Sequence, residues 1–85
     1  MSILTERQVQ VLELVALGYC DKDIATKLNM RPYTAKNHVH HINTRLNTNG
    51  RVESVFYAAA LGLFDYEESQ RVIKARVEGR LQERY

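Results

Sequence analysis

One cysteine, one proline and no tryptophan occur in these 85 residues. The lone thiol, Cys20, excludes a disulfide framework and a cysteine-built zinc site within one chain. That fits a reducing compartment, and a cytoplasmic location is expected. No apolar run approaches the ~20 residues that span a bilayer, so no membrane partner is expected. The opening MSILTERQ lacks the charged-then-apolar layout of a secretory leader. It reads as a native start, which would leave no room for a preceding sensor domain. A chain this short can build one small domain of modest stability, and oligomerisation would help it. The most informative absence is local. No Asp or Glu occurs from Ile24 to Val52, where Lys27, Arg31, Lys36, Arg45 and Arg51 stand. The whole chain has a net charge of only +2, so positive charge is concentrated in its middle third.

The turn signals divide the chain into helices. Thr5, with Gln8 three residues on, forms a capping box for a helix over about 5–17, and Gly18 ends it. Leu4 and Val9 suit a hydrophobic staple across that start. Asp21, a better capping group than Cys20, opens a short helix over about 21–29 that buries Ile24, Ala25 and Leu28. Asn29-Met30-Arg31 is a tight turn, and Pro32 sits where a first helical turn tolerates it. The next helix, about 32–46, has a dry side of Ala35, Val39, Ile42 and Leu46. Opposite lie Tyr33, Asn37, His40, His41 and Thr44, with Lys36 at the edge. A solvated helix face normally mixes both signs. This one carries donors, amides and hydroxyls, which suits a polyanion with hydrogen-bonding edges. Two short helices joined by a tight turn, the second bearing the contact face, make a helix-turn-helix.

Asn47 to Gly50 breaks that helix. A fourth, about 51–61, has an apolar stripe of Val52, Val55, Phe56, Ala59 and Ala60, and Gly62 stops it. Asp65 with Glu68 is a further capping box for a fifth helix over 66–82. Its stripe is thin: Ile73, Val77 and Leu81, flanked by Val72 and Tyr66. Glu67–Arg71 and Lys74–Glu78 are spaced as i,i+4 ion pairs. Arg7, Glu13 and the row Arg76, Arg80, Arg84 read as solvated.

These residues resemble a known family. Leu4-Thr5-x-Arg7, Val11-Leu12-x-Leu14, Gly18, Lys22-x-Ile24-Ala25-x-x-Leu28, Thr34-x-Lys36-x-His38-Val39-x-x-Ile42-x-x-x-Leu46 and Arg51 to Gly62 look like the LuxR-type (NarL/FixJ/GerE) DNA-binding domain. Arg31 stands where that family usually has a capping Ser. The resemblance implies an all-α fold: a four-helix LuxR/GerE-type helix-turn-helix bundle over 1–64, with an additional C-terminal helix over 65–85. It implies a sequence-specific, double-stranded DNA-binding transcriptional regulator. Lys36, Asn37 and His40 match positions that face bases. Expected phosphate contacts are Lys27, Arg31, Tyr33, Thr34, Thr44, Arg45 and Arg51. A homodimer is expected through the fourth helix, with Val55, Phe56, Ala59 and Ala60 at its interface. Another regulator or RNA polymerase is a further partner to consider. The competing reading is a protein-interaction module that binds and inhibits a full-length regulator. His38, His40 and His41 share a helix with no Cys, Asp or Glu to complete a metal shell, so neither metal nor cofactor is expected. No catalytic set emerges, and an enzyme is not expected.

Overall fold

The computed structural model describes residues 3–84, with side chains through Arg80. It contains five helices: α1 (Glu6–Ala16), α2 (Asp21–Leu28), α3 (Pro32–Leu46), α4 (Arg51–Ala60) and α5 (Tyr66–Arg84). The described residues form no strand. The start of α1 is the expected capping box. The Gln8 amide donates to Thr5 Oγ1 at 3.1 Å, and the Thr5 amide donates to Gln8 Oε1 at 2.9 Å. Helix α2 corrects the sequence reading. Cys20 is its N-cap, Asp21 its first helical residue, and no side chain caps it. The Cys20 thiol instead donates to Asp23 Oδ2 at 3.2 Å. Arg31 precedes Pro32 at the start of α3, again without a side-chain cap.

The first four helices end alike. A left-handed residue closes each: Gly18, Asn29, Asn47 and Gly62. At each end the next amide reaches back over a full turn: Tyr19 to the Leu14 carbonyl, Met30 to Ala25, Thr48 to Asn43 and Leu63 to Ala58. This satisfies carbonyls that the helix itself cannot. Asparagine tolerates the left-handed conformation better than most side chains do, so it serves beside glycine.

Ten buried residues form one core. Leu4, Val11 and Leu12 meet Ile24 and Ala25 of α2, the Ala35-Val39-Ile42-Leu46 side of α3, and Ala58 of α4. Of the staple residues, Leu4 belongs to this core and Val9 packs against it, half-buried. The face of α4 differs from expectation. Its buried residues are Ser54 and Ala58, whereas Val52 is 67% and Phe56 59% exposed. Small residues of α4 face α3 and α1, Val55 packs at the edge of the core, and Val52, Phe56 and Tyr57 are left outside. Buried Ser54 is satisfied: its hydroxyl donates to Asn43 Oδ1 at 2.6 Å and meets the Thr48 hydroxyl.

Helix α5 begins with Asp65, whose carboxylate accepts from the Glu68 amide at 2.9 Å. The Glu68 side chain pairs with Arg71, which therefore does not have the expected partner Glu67. Lys74 pairs with Glu78 at 3.9 Å. The docking side of α5 is Tyr66, Ser69, Ile73 and Arg76, while Val72 and Val77 are exposed. The expected position of Leu81 in this stripe lies outside the described side chains. Arg76 is not solvated. It donates to the Leu17 carbonyl at 2.9 Å, beyond the end of α1.

Ser54→Ala removes the hydroxyl that joins α3, α4 and the intervening turn. A loss of about 1–3 kcal/mol is expected. Thermal unfolding by circular dichroism checks it, at roughly 4–8 °C per kcal/mol for a domain of this size.

Candidate nucleic-acid interface

Burial of one side of α3 fixes what the other side presents. Tyr33, Lys36, His40, His41 and Thr44 are exposed, and Asn37 is half-buried. Among the described residues, Tyr33 is the most exposed of the large apolar and aromatic side chains, at 72%. From Tyr33 to Thr44 the face is roughly 16 Å long, at about 1.5 Å per residue. The His40 and His41 rings lie 6.0 Å apart. The arrangement offers cationic, amide and hydroxyl groups in a row and no carboxylate.

The flanking cations are placed unequally. Arg31 and Thr34 are exposed at the first turn of α3, and Arg45 at its last. Arg45 Nε donates to the Ile3 carbonyl at 3.0 Å, which ties the end of α3 to the N-terminal lead. Arg51 reaches Asp21 at 3.0 Å, so part of its charge is already neutralised. The Lys27 ammonium lies over the Tyr19 ring, 4.6 Å from its centroid. Of the expected interface residues on α4, Phe56 and Ala60 are exposed while Val55 and Ala59 are half-buried.

Arg7 carries a role that the sequence did not reveal. Its guanidinium donates to the carbonyl of Leu28, the last residue of α2, at 2.7 Å, and to Gln10 Oε1 at 3.1 Å. A cation at a helix C-terminus meets the negative end of the dipole. Arg7 therefore braces the joint between α2 and α3. No local pattern announces this contact, because it spans 21 positions. His38 lies close by, half-buried. Burial, then the Arg7 charge, then His41 hold its imidazole below the ordinary 6.5.

Residues 2–58 match the model for bacterial regulatory proteins of the luxR family. The chain belongs to that family. The oxygen regulatory protein NreC of Staphylococcus epidermidis is 41% identical over 64 residues, 75% of this chain and 29% of that protein. The response regulator protein VraR of Staphylococcus aureus is 38% identical over 56 residues, 66% of this chain and 27% of that one. The chain thus spans less than a third of the length of these curated relatives. A solved structure of the transcription factor GerE superposes with a TM-score of 0.75 at 27% identity. That match covers 78% of this chain and 98% of GerE. This LuxR-family chain is therefore an all-α, DNA-binding helix-turn-helix domain of transcriptional regulators, a family that is not one of enzymes. Among the described residues, no helix is long and apolar enough to cross a membrane.

The lowered His38 value has a consequence for stability. Its imidazole takes a proton more readily in the unfolded chain than in the fold. The stability linked to this site is full above about pH 6.5 and is lost as pH falls from there through the lowered native value. His38→Gln is expected to narrow the gap between urea midpoints at pH 7.5 and pH 5. An unchanged gap would show that His38 does not contribute.

Proposed function

We propose that this LuxR-family domain binds double-stranded DNA as a homodimer, with α3 in the major groove. The observation that carries this reading is the outward face of α3, donor-rich and free of acid along its whole length. Lys36 donates to guanine O6 and N7, Asn37 pairs with adenine, and His40 donates to a purine edge one turn further on. Arg31, Tyr33 and Thr34 at one end, and Thr44 and Arg45 at the other, hold phosphates and set the register. Lys27 and Arg51 add to the attraction. Each phosphate neutralised releases counterions, so affinity falls as salt rises. Two copies related by a two-fold axis call for a two-part site. Support for the pairing surface comes from α4, where Val52, Phe56, Tyr57 and Leu61 leave an apolar side uncovered.

Binding to random-sequence duplex and to a selected-site pool, across a salt series, tests the reading. Wild type should bind with a steep negative salt slope, and the pool should converge on a two-part motif. Lys36→Ala should lose about 1–3 kcal/mol of discrimination at one position of each half-site and relax that position. A folded protein that binds no duplex at low salt sinks the proposal. The search then turns to a full-length regulator that this domain inhibits through α4.

Phe56→Glu tests the dimer separately. Phe56 is more than half exposed and, among the described aromatic residues, meets only the Tyr66 ring at 6.4 Å, so the substitution should keep the helical circular dichroism spectrum of wild type, while the melting temperature falls by the stability that pairing contributes. Sedimentation should show the variant as a monomer at concentrations where wild type is dimeric. A wild type that is monomeric at every concentration removes the homodimer.

A further inference from the structure

Helix α5 lies beyond the residues that the family model matches, which end at 58. On its docking side, Arg76 supplies the polar attachment to the end of α1. One guanidinium nitrogen donates to the Leu17 carbonyl at 2.9 Å, and the other reaches the Tyr19 hydroxyl at 3.5 Å. The guanidinium also lies over the Tyr19 ring, 5.2 Å from its centroid. The same ring carries Lys27 at 4.6 Å. The two cations are therefore held within about one Debye length of each other, ~10 Å at 0.1 M salt.

Arg80 lies one helical turn beyond Arg76, on the same side of α5, and it is exposed. The other described cations of α5 are engaged along the helix, Arg71 with Glu68 and Lys74 with Glu78. Asp23 is one turn before Lys27 on α2, and its carboxylate accepts the Cys20 thiol. Like charges gathered on a fixed aromatic ring repel one another, and a polyanion relieves that repulsion. Lys27 belongs to α2, the helix that crosses the DNA backbone in a helix-turn-helix. What α5 adds is a second cation beside it.

We propose that Lys27 and Arg80 form a second phosphate-binding strip for double-stranded DNA, outside the groove that α3 reads. This rests on the DNA-binding reading above. Arg76 and Tyr19 are positioning residues: Arg76 fixes α5 to the end of α1, and the Tyr19 ring sets where Lys27 lies. The strip touches only the backbone. It raises affinity for any duplex and leaves base preference unchanged.

The test uses the full chain and a random-sequence duplex of about 30 base pairs, roughly three helical turns. Affinity is measured across a salt series. Arg80→Ala is expected to reduce the slope of log K against log salt by about 0.9, and to weaken binding roughly three- to tenfold at low salt. Arg80→Lys should restore most of both. Arg76→Gln leaves Arg80 in place and unfastens α5. It should give the same loss and faster amide exchange along α5, and adding Arg80→Ala to it should cost nothing more. Lys74→Ala, at an already paired site, should behave as wild type. If wild type binds and Arg80→Ala matches it in affinity and slope, the strip does not exist. If Arg80→Ala matches wild type on DNA but loses hold of polyglutamate, the cations serve an acidic protein and the proposal is overturned. Absence of binding by wild type itself overturns the DNA reading, and the strip with it.

Discussion

Burial of Ala35, Val39, Ile42 and Leu46 against α1 and α2 determines almost everything that α3 can do. Fully burying the three larger side chains is worth roughly 1.5–3 kcal/mol each. A rotation of α3 about its axis would forfeit that gain and carry polar groups inward. The donor face is therefore held outward by the core rather than by its own contacts. Among the described residues, Lys36 and His40 hydrogen-bond to no other helix, and their orientation needs none. Their direction follows from the helical period and from which neighbours are dry.

That dependence explains what could be read from the sequence. The face of α3 was legible because its period is long and unambiguous, and because acid is absent from it. The stops were legible as well. Gly18, Asn29, Asn47 and Gly62 each close a helix in the left-handed region. The side of α4 was not. A wheel favours Val52 and Phe56 as core, yet the core takes Ser54 and Ala58. Two facts reverse the choice. Small side chains, Ser54 and Ala58, are fully buried where α4 meets α1 and α3, and Asn43 and Thr48 supply partners for the buried hydroxyl. Neither fact is local to α4.

The arginines were the least legible residues. Arg7, Arg45 and Arg76 each donate to a backbone carbonyl, those of Leu28, Ile3 and Leu17, at sequence separations of 21, 42 and 59. A guanidinium presents several donors in a rigid fork on a long stem. It can satisfy a carbonyl at a distant chain end and still keep its charge. From sequence, Arg7 and Arg76 read as solvated and Arg45 as a phosphate contact, because main-chain partners leave no mark in composition. Two of these carbonyls lie at the ends of α2 and α1, where unpaired oxygens and the helix dipole both favour a cation. The α2–α3 joint and the α5 attachment therefore use the same device.

This divides the basic residues by what their charge is free to do. A donation to a neutral carbonyl consumes a hydrogen-bonding site and leaves the charge, so Arg45 keeps its positive charge at the end of α3. An ion pair consumes the charge itself. Arg51, bound to Asp21, must give up or share that carboxylate before it gains from a phosphate. Five cations within an acid-free stretch therefore overstate the counterions that binding can release. The effective number is set by which carboxylates the fold brings from elsewhere. Asp21 lies just outside that stretch, thirty residues before Arg51 in the chain, and the fold brings the first residues of α2 and α4 within reach of each other's side chains.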